Sequence, residues 1–164
     1  MTAGLRVRLA EPAELEAVGA LTVRAYTHDG GLHPEDRYAL ILADAADRAE
    51  RAELYLADLV GRIVGTVTVA EHGTPYAEIS QPGELEFRML AVDPEAAGRR
   101  IGSALVEFVA DEARRRGRRR VVISVVRGNA AAAHLYRRLG FVRVPSRDWE
   151  PVPGVFLQVS MLDV

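Results

Sequence analysis

The residues of this chain that could do chemistry concentrate between positions 86 and 116. A strand-like run, Phe87-Arg88-Met89-Leu90-Ala91-Val92, leads into the turn Asp93-Pro94-Glu95-Ala96-Ala97-Gly98-Arg99-Arg100-Ile101-Gly102-Ser103. Ile101, Ala104, Leu105, Phe108 and Val109 then recur at the spacing of one helix face. The first amides of a helix have no intrahelical acceptor, and the helix dipole places partial positive charge there. A turn rich in Gly and Arg that opens a helix directly after a strand is therefore an anion cradle suited to phosphate. Arg99 and Arg100 add two permanent cations.

Composition narrows the chemistry further. The chain has 164 residues and no cysteine, which excludes a thiolate nucleophile, a disulfide framework and a cysteine-based metal site, and no metal is expected. All 21 basic residues are arginine, so no lysine amine is available to the protein's own chemistry. A formal net charge of -2 indicates no global attraction to nucleic acid or to an anionic membrane. The run Arg114-Arg115-Arg116-Gly117-Arg118-Arg119-Arg120 invites a nucleic-acid reading, but it straddles a helix C-terminus, where cations are favoured. Glu107, Asp111 and Glu112 lie one turn back and can pair with it, so a solvated helix end is the expectation. No apolar run approaches the ~20 residues needed to cross a bilayer, and no signal-peptide pattern opens the chain. Neither a nucleic-acid nor a membrane partner is expected, and a cytoplasmic location is.

The elements that must position this turn follow from periodicity. Residues 5–9 alternate as a first strand, and Pro12 suits the first turn of a helix that fades near Tyr26. Pro34 opens a second helical stripe through Tyr38, Ile41, Leu42, Ala45 and Ala49. Residues 53–59 and 63–70 form a hairpin about Val60-Gly61-Arg62. In strand 86–92, strict alternation puts Glu86, Arg88, Leu90 and Val92 on one face and Phe87, Met89 and Ala91 on the other. Val121-Val122-Ile123-Ser124-Val125-Val126 is a continuous apolar run, typical of a strand buried on both faces. Asn129 is a good N-cap for a helix carrying Ala132, Leu135, Tyr136 and Leu139 and stopping at Gly140. Two last strands, 141–144 and 155–162, flank a Pro-rich loop holding Trp149. The reading is one domain over 1–164, a mixed α/β fold with a mostly antiparallel sheet of six to seven strands and helices on both faces. The strand-helix-strand unit around the long helix is expected to be a right-handed parallel crossover.

Two segments of the chain resemble the GCN5-related N-acetyltransferase (GNAT) superfamily. The window Ala97-Gly98-Arg99-Arg100-Ile101-Gly102 is similar to that family's pyrophosphate loop, Gln/Arg-x-x-Gly-x-Gly/Ala. Asn129, Ala132, Tyr136, Gly140 and Phe141 are similar to a second motif, Asn-x-x-Ala-x-x-x-Tyr-x-x-x-Gly-Phe. The element order also resembles that fold, over essentially the whole chain. Ala97 and Arg100 depart from the loop pattern, standing where Gln or Arg and a middle Gly are usual. Arginine keeps its amide and tolerates helical φ/ψ, so the cradle is expected to work through backbone amides and arginine charge.

The resemblance implies transfer of an acetyl group from acetyl-CoA to a small-molecule or peptide amine. An amine with a pKa of about 10 is mostly protonated at neutral pH, so a base is useful. A phenol with a pKa of about 10 can protonate a leaving thiolate whose own value is about 8.5. Tyr136 matches the family's tyrosine in that role, and Glu86 its water-mediated base, with Glu84 a competitor. Leu90, Ala91 and Val92 would offer backbone groups to the cofactor arm. Gly98, Arg99, Arg100, Ile101, Gly102 and Ser103 would hold its pyrophosphate, and Asn129 is either a cofactor contact or simply the helix cap. Tyr26, His28 and Trp149 stand in two loops expected to bind substrate. Those loops also carry Asp29, Glu35, Asp36, Asp148 and Glu150, a mildly acidic set suited to a cationic amine. A silent acyl-CoA-binding module is the alternative, and a homodimer through the last strands is possible.

Overall fold

A computed structural model describes residues 2–28 and 30–164; Asp29, one of the acidic loop residues, lies outside them. The chain runs through strand β1 (Leu5–Leu9), helices α1 (Leu15–Thr27), α2 (Arg37–Ala43) and α3 (Ala45–Arg51), and strands β2 (Glu53–Leu59), β3 (Arg62–Glu71) and β4 (Glu84–Val92). Helix α4 (Ile101–Arg115), strand β5 (Arg120–Val126), helix α5 (Ala130–Arg138) and strands β6 (Val142–Arg143), β7 (Trp149–Val152) and β8 (Val155–Asp163) follow. The strands form one sheet in the order β1-β2-β3-β4-β5-β8-β6, with β7 also paired to β8. Among the described residues only β4 and β5 run parallel; the other pairs are antiparallel. This is the expected mixed α/β fold. The sheet has eight strands, because β7 forms where a loop was expected and places Trp149 opposite Leu157.

Helices cover both faces. Ile101, Leu105, Val106, Val109 and Ala113 of α4 join Val67, Val69, Leu85 and Phe87 of the sheet in the largest core cluster, with Tyr136 and Phe141. On the opposite face, Val18 and Ala45 pack on Leu54 and Leu56, and Leu42 packs with Ala70, Tyr76 and Met89. The helical stripe expected from Tyr38 to Ala49 is two helices. Asp44 breaks it at φ -84°, ψ 69°, and its carboxylate caps α3 by accepting from the Asp47 amide at 3.0 Å.

Strict alternation along β4 does not hold. Met89 sits at φ 54°, and the register with β3 jumps from Thr68↔Arg88 to Thr66↔Ala91, so Met89 and Leu90 together oppose Val67. This β-bulge shifts the side-chain phase by one residue. Leu90 and Val92 therefore join Leu85 and Phe87 on the α4 face, whereas Met89 packs on the opposite face.

Candidate active site

Three devices of the backbone meet at the centre of the sheet. The first is a parting of strands. β4 and β5 pair through Glu84↔Arg120, Leu85↔Val121 and Glu86↔Val122 and no further. β4 nevertheless continues to Val92 and β5 to Val126. Beyond Glu86 the two strands separate, and on that side the backbone groups of Leu90, Ala91 and Val92 have no strand partner. The second device is the bulge at Met89, which lies within the parted stretch.

The third is the N-terminus of α4. Residues Asp44 and Asn129 cap α3 and α5 with their side chains, but Arg100 at the start of α4 provides no such cap. The first amide of this segment with a backbone acceptor is Ala104, bonded to the Arg100 carbonyl at 3.0 Å. The amides of Arg100, Ile101, Gly102 and Ser103 thus lack a backbone acceptor among the described residues. Gly98 turns the chain at φ 82°, with open space where a Cβ would stand. Arg100 holds φ 58°, ψ 29°, which is left-handed and not the helical conformation expected of it. Arg99 and Arg100 are both exposed. Ser103 accepts a hydrogen bond from Arg138 Nη2 at 3.3 Å, bringing a further cation from α5 to this end of α4. The set is open, cationic and rich in free donors, and it fits a pyrophosphate.

Tyr136 and Glu86 lie on opposite faces of the sheet. Tyr136, 5 % exposed, belongs to the α4-side core, edge-on to Phe87 with ring centroids 5.8 Å apart. Burial pushes its phenol pKa up, so the proton stays on at neutral pH. Its hydroxyl has no hydrogen-bond partner among the described residues. A cavity of about 290 Å³ lies against it, lined also by Val125, Phe141, Arg143 and Ser160. Glu86, 1 % exposed, faces the other way, and its Oε1 accepts from the amides of Glu78, Ile79 and Ser80 at 2.9, 3.0 and 3.0 Å. Tyr26 on α1 is near enough to feel Tyr136, Tyr38 and Arg88 electrostatically, although burial contributes most to its raised pKa. The parting of β4 from β5 begins at Glu86.

The competitor Glu84 is differently placed. It is wholly buried and clamped by both Nη atoms of Arg147 at 2.9 Å, and its Oε2 also accepts from the Gln81 amide at 2.9 Å. Burial alone would raise its pKa, but these bonds outweigh that and lower it. Glu84 therefore ties the loop of Arg147 to β4. The Asn129 side chain accepts from the Ala132 amide at 3.1 Å, its cap role. Trp149 Nε1 donates to Ser124 Oγ on β5 at 3.2 Å, and its ring lines a shallow pocket with Phe156 and Arg127. His28 is exposed at the end of α1. Tyr26 stacks obliquely on Tyr38, ring centroids 6.4 Å apart. Sequence reasoning placed Arg88 on the face of Glu86 but missed Arg147 and Glu78 as neighbours of the two glutamates; Arg147 is 63 positions from Glu84, and Glu78 lies in a loop whose path the sequence does not mark. Among the described residues no group of three or more His, Asp or Glu is arranged to hold a metal.

The arginine run is not a freely solvated helix end. Arg116 bonds Glu53, Glu71 and Glu112, and Arg118 bonds Glu71. Arg114, Arg115 and Arg120 pair with Asp111, Glu112 and Asp163.

Comparison with known proteins identifies the family and the fold. A sequence model described as the acetyltransferase (GNAT) family matches residues 15–141. A mycothiol acetyltransferase of Cellulomonas flavigena is 33 % identical over 148 residues, covering 85 % of this chain and 41 % of the relative. The chain thus spans less than half the length of the curated relatives it matches most broadly. Among solved structures, the ribosomal-protein-S18-alanine N-acetyltransferase of Escherichia coli superposes with a TM-score of 0.70 at 22 % identity, over 98 % of this chain and 94 % of that one. An acetyltransferase of Salmonella typhimurium, solved with its cofactor acetyl-CoA, gives a TM-score of 0.66 at 22 % identity over the same shares. At such identities the likeness to these structures is one of fold.

Proposed function

The chain belongs to the acetyltransferase (GNAT) family, and from that premise we propose that it acetylates an amine with acetyl-CoA by direct attack on the thioester. The observation that carries this reading is the parting of β4 and β5 at Glu86↔Val122, beside the uncapped start of α4. The strands part between the face that holds Tyr136, a protonated tyrosine, and the face that holds Glu86. Bound acetyl-CoA supplies an activated acyl group and a thiolate leaving group.

The remaining work falls to the protein's own residues. The amides of residues 98–103, with Arg99 and Arg100, hold the pyrophosphate. Backbone donors of Leu90, Ala91 and Val92 orient the arm and stand where negative charge develops. Tyr136 Oη gives its proton to the departing sulfur. Glu86, anchored through Oε1, takes the amine's proton through a water at Oε2, which has no protein partner among the described residues. With no cysteine in the chain, the acyl group passes directly to the acceptor. The acceptor enters between the end of α1, with Tyr26 and His28, and the segment of Trp149.

The relatives' names cover a small thiol, mycothiol, and a protein alanine, so small-molecule and peptide amines both belong in an acceptor panel. Consumption of acetyl-CoA is expected with at least one of them. Tyr136→Phe keeps the ring packing and is expected to lower kcat by about 10², with CoA affinity by calorimetry changed less than about threefold. Binding of CoA without turnover of any amine would leave an acyl-CoA-binding module as the reading, whereas a Tyr136→Phe variant as fast as an active parent would remove Tyr136 as the acid and leave acetyl transfer in place.

A further inference from the structure

Glu86 is too deeply buried to return a proton to solvent by itself. The loop it holds carries a second carboxylate. The Glu78 amide donates to Glu86 Oε1 at 2.9 Å, and the Glu78 carboxylate Oε1 lies 3.0 Å from Arg88 Nε. Glu86 and Arg88 are two residues apart on the same face of β4, before the bulge. One therefore fixes the backbone of Glu78 and the other its side chain. Arg88 is itself held, donating through Nη1 to the Tyr76 carbonyl at 3.3 Å with its guanidinium over the Tyr76 ring. On the far side Arg147 Nη2 donates to the Ile79 carbonyl at 2.6 Å. A loop carboxylate that is 33 % exposed ordinarily samples several rotamers; this one is gripped from both ends.

Resting on the acetyl-transfer reading above, we propose that Glu78 is the proton outlet of the acceptor site, the group that passes the amine's proton from the Glu86 water to solvent. An N–H bond of the protonated acceptor breaks first, and its proton goes to the water at Glu86 Oε2. The neutral nitrogen then forms the C–N bond as the C–S bond breaks, and the second N–H proton it loses replaces the one that Tyr136 gives to sulfur. From the water at Glu86 the first proton moves to the Glu78 carboxylate, which becomes a carboxylic acid. The acid then loses the proton to bulk water and the carboxylate is restored. The groups facing Glu78 are Glu86 and Arg88 from β4 and Tyr38 from α2. Burial, opposed by Arg88 and aided by Glu86, raises the Glu78 pKa, which favours a residue that must hold a proton briefly.

The test is a pH–rate profile of the full chain and its Glu78→Gln variant, using the fastest primary alkylamine of the acceptor panel. At neutral pH kcat/KM of the variant is expected to fall about tenfold, a fraction of what a general base contributes. The deficit is expected to shrink as pH approaches the amine's own pKa of about 10, where the acceptor arrives already neutral. CoA affinity and Tm are expected to stay at the parent's values, and Glu78→Asp to recover most of the rate. A loss that is uniform across pH, or no loss at all, overturns the proposal while leaving acetyl transfer in place. A parent that turns over no amine of the panel overturns both.

Discussion

Arg100 holds a backbone conformation that glycine adopts freely, φ 58° and ψ 29°, at the start of α4. A left-handed residue with a side chain costs roughly 1–2 kcal/mol. The cradle accepts this in exchange for an exposed guanidinium beside the free amides. Arg100→Gly is therefore expected to raise the free energy of unfolding by about 0.5–1 kcal/mol, after allowing for the greater freedom of glycine in the unfolded chain. A urea midpoint that rises at unchanged m-value checks this; a midpoint that falls says that Arg100 makes contacts worth more than its strain. The two glutamates of β4 make a similar point. Glu86 is the candidate base from sequence, and its spacing makes Glu84 a competitor on the same face. They differ because Arg147 clamps one of them, whereas the other holds three amides and leaves an oxygen over.

The elements decide which side chains can meet. The bulge at Met89 moves Leu90 and Val92 onto the α4 face. The parting of β4 from β5 then leaves the end of β4 without a strand partner on that side. At the other end of α4, Arg116 joins three elements, bonding Glu53 of β2, Glu71 of β3 and Glu112 of its own helix. With the Arg116 side chain only 15 % exposed, these are not freely solvated pairs. Arg116→Met keeps an apolar stem but leaves three carboxylates crowded together, and is expected to lower stability by about 2 kcal/mol. Arg114→Met removes one exposed helix pair and is expected to change stability by less than about 0.5 kcal/mol. Urea denaturation of the two variants side by side measures the contrast, and equal losses would mean that the hub acts as ordinary surface charge.

At the scale of the whole molecule, most perturbed carboxylates move the same way. The pKa of Glu14 is held down at about 2 from 4.5, chiefly by its hydrogen bonds to Arg8. Glu53 and Glu112 are lowered chiefly by hydrogen bonds to Arg116 and Arg115, and Asp148 by Arg143. Glu71, Glu84 and Asp93 are lowered despite their burial. A depressed native pKa means that the unfolded chain binds more protons, so the stabilisation is complete above the unfolded values and is lost as pH falls through the native ones. The Tm is expected to stay nearly level from about pH 8 to 5 and to drop steeply from about 4.5 to 2. A Tm that is level down to pH 2 would falsify the view that these pairs stabilise the fold. The ion pairs and the two faces of the sheet also mark the limit of what could be read from the chain. Strand and helix order, the cradle at residues 98–103, the cap at Asn129 and the motif around Tyr136 were legible, because each depends on neighbours a few positions away. The break at Asp44, the β7 strand and the left-handed Arg100 were missed. So was the bulge, which shifts alternation by one residue with no glycine or proline to announce it. The sequence by itself determined a mixed α/β acetyltransferase-like chain with a Gly- and Arg-bearing turn at the start of α4 and a tyrosine on α5. Only the tertiary structure decided that Tyr136 and Glu86 stand on opposite faces of a parted sheet, and that Glu84 is bound to Arg147 and Glu78 to Arg88. Such contacts join residues distant along the chain, and they exist only once the sheet has brought them within a few ångströms.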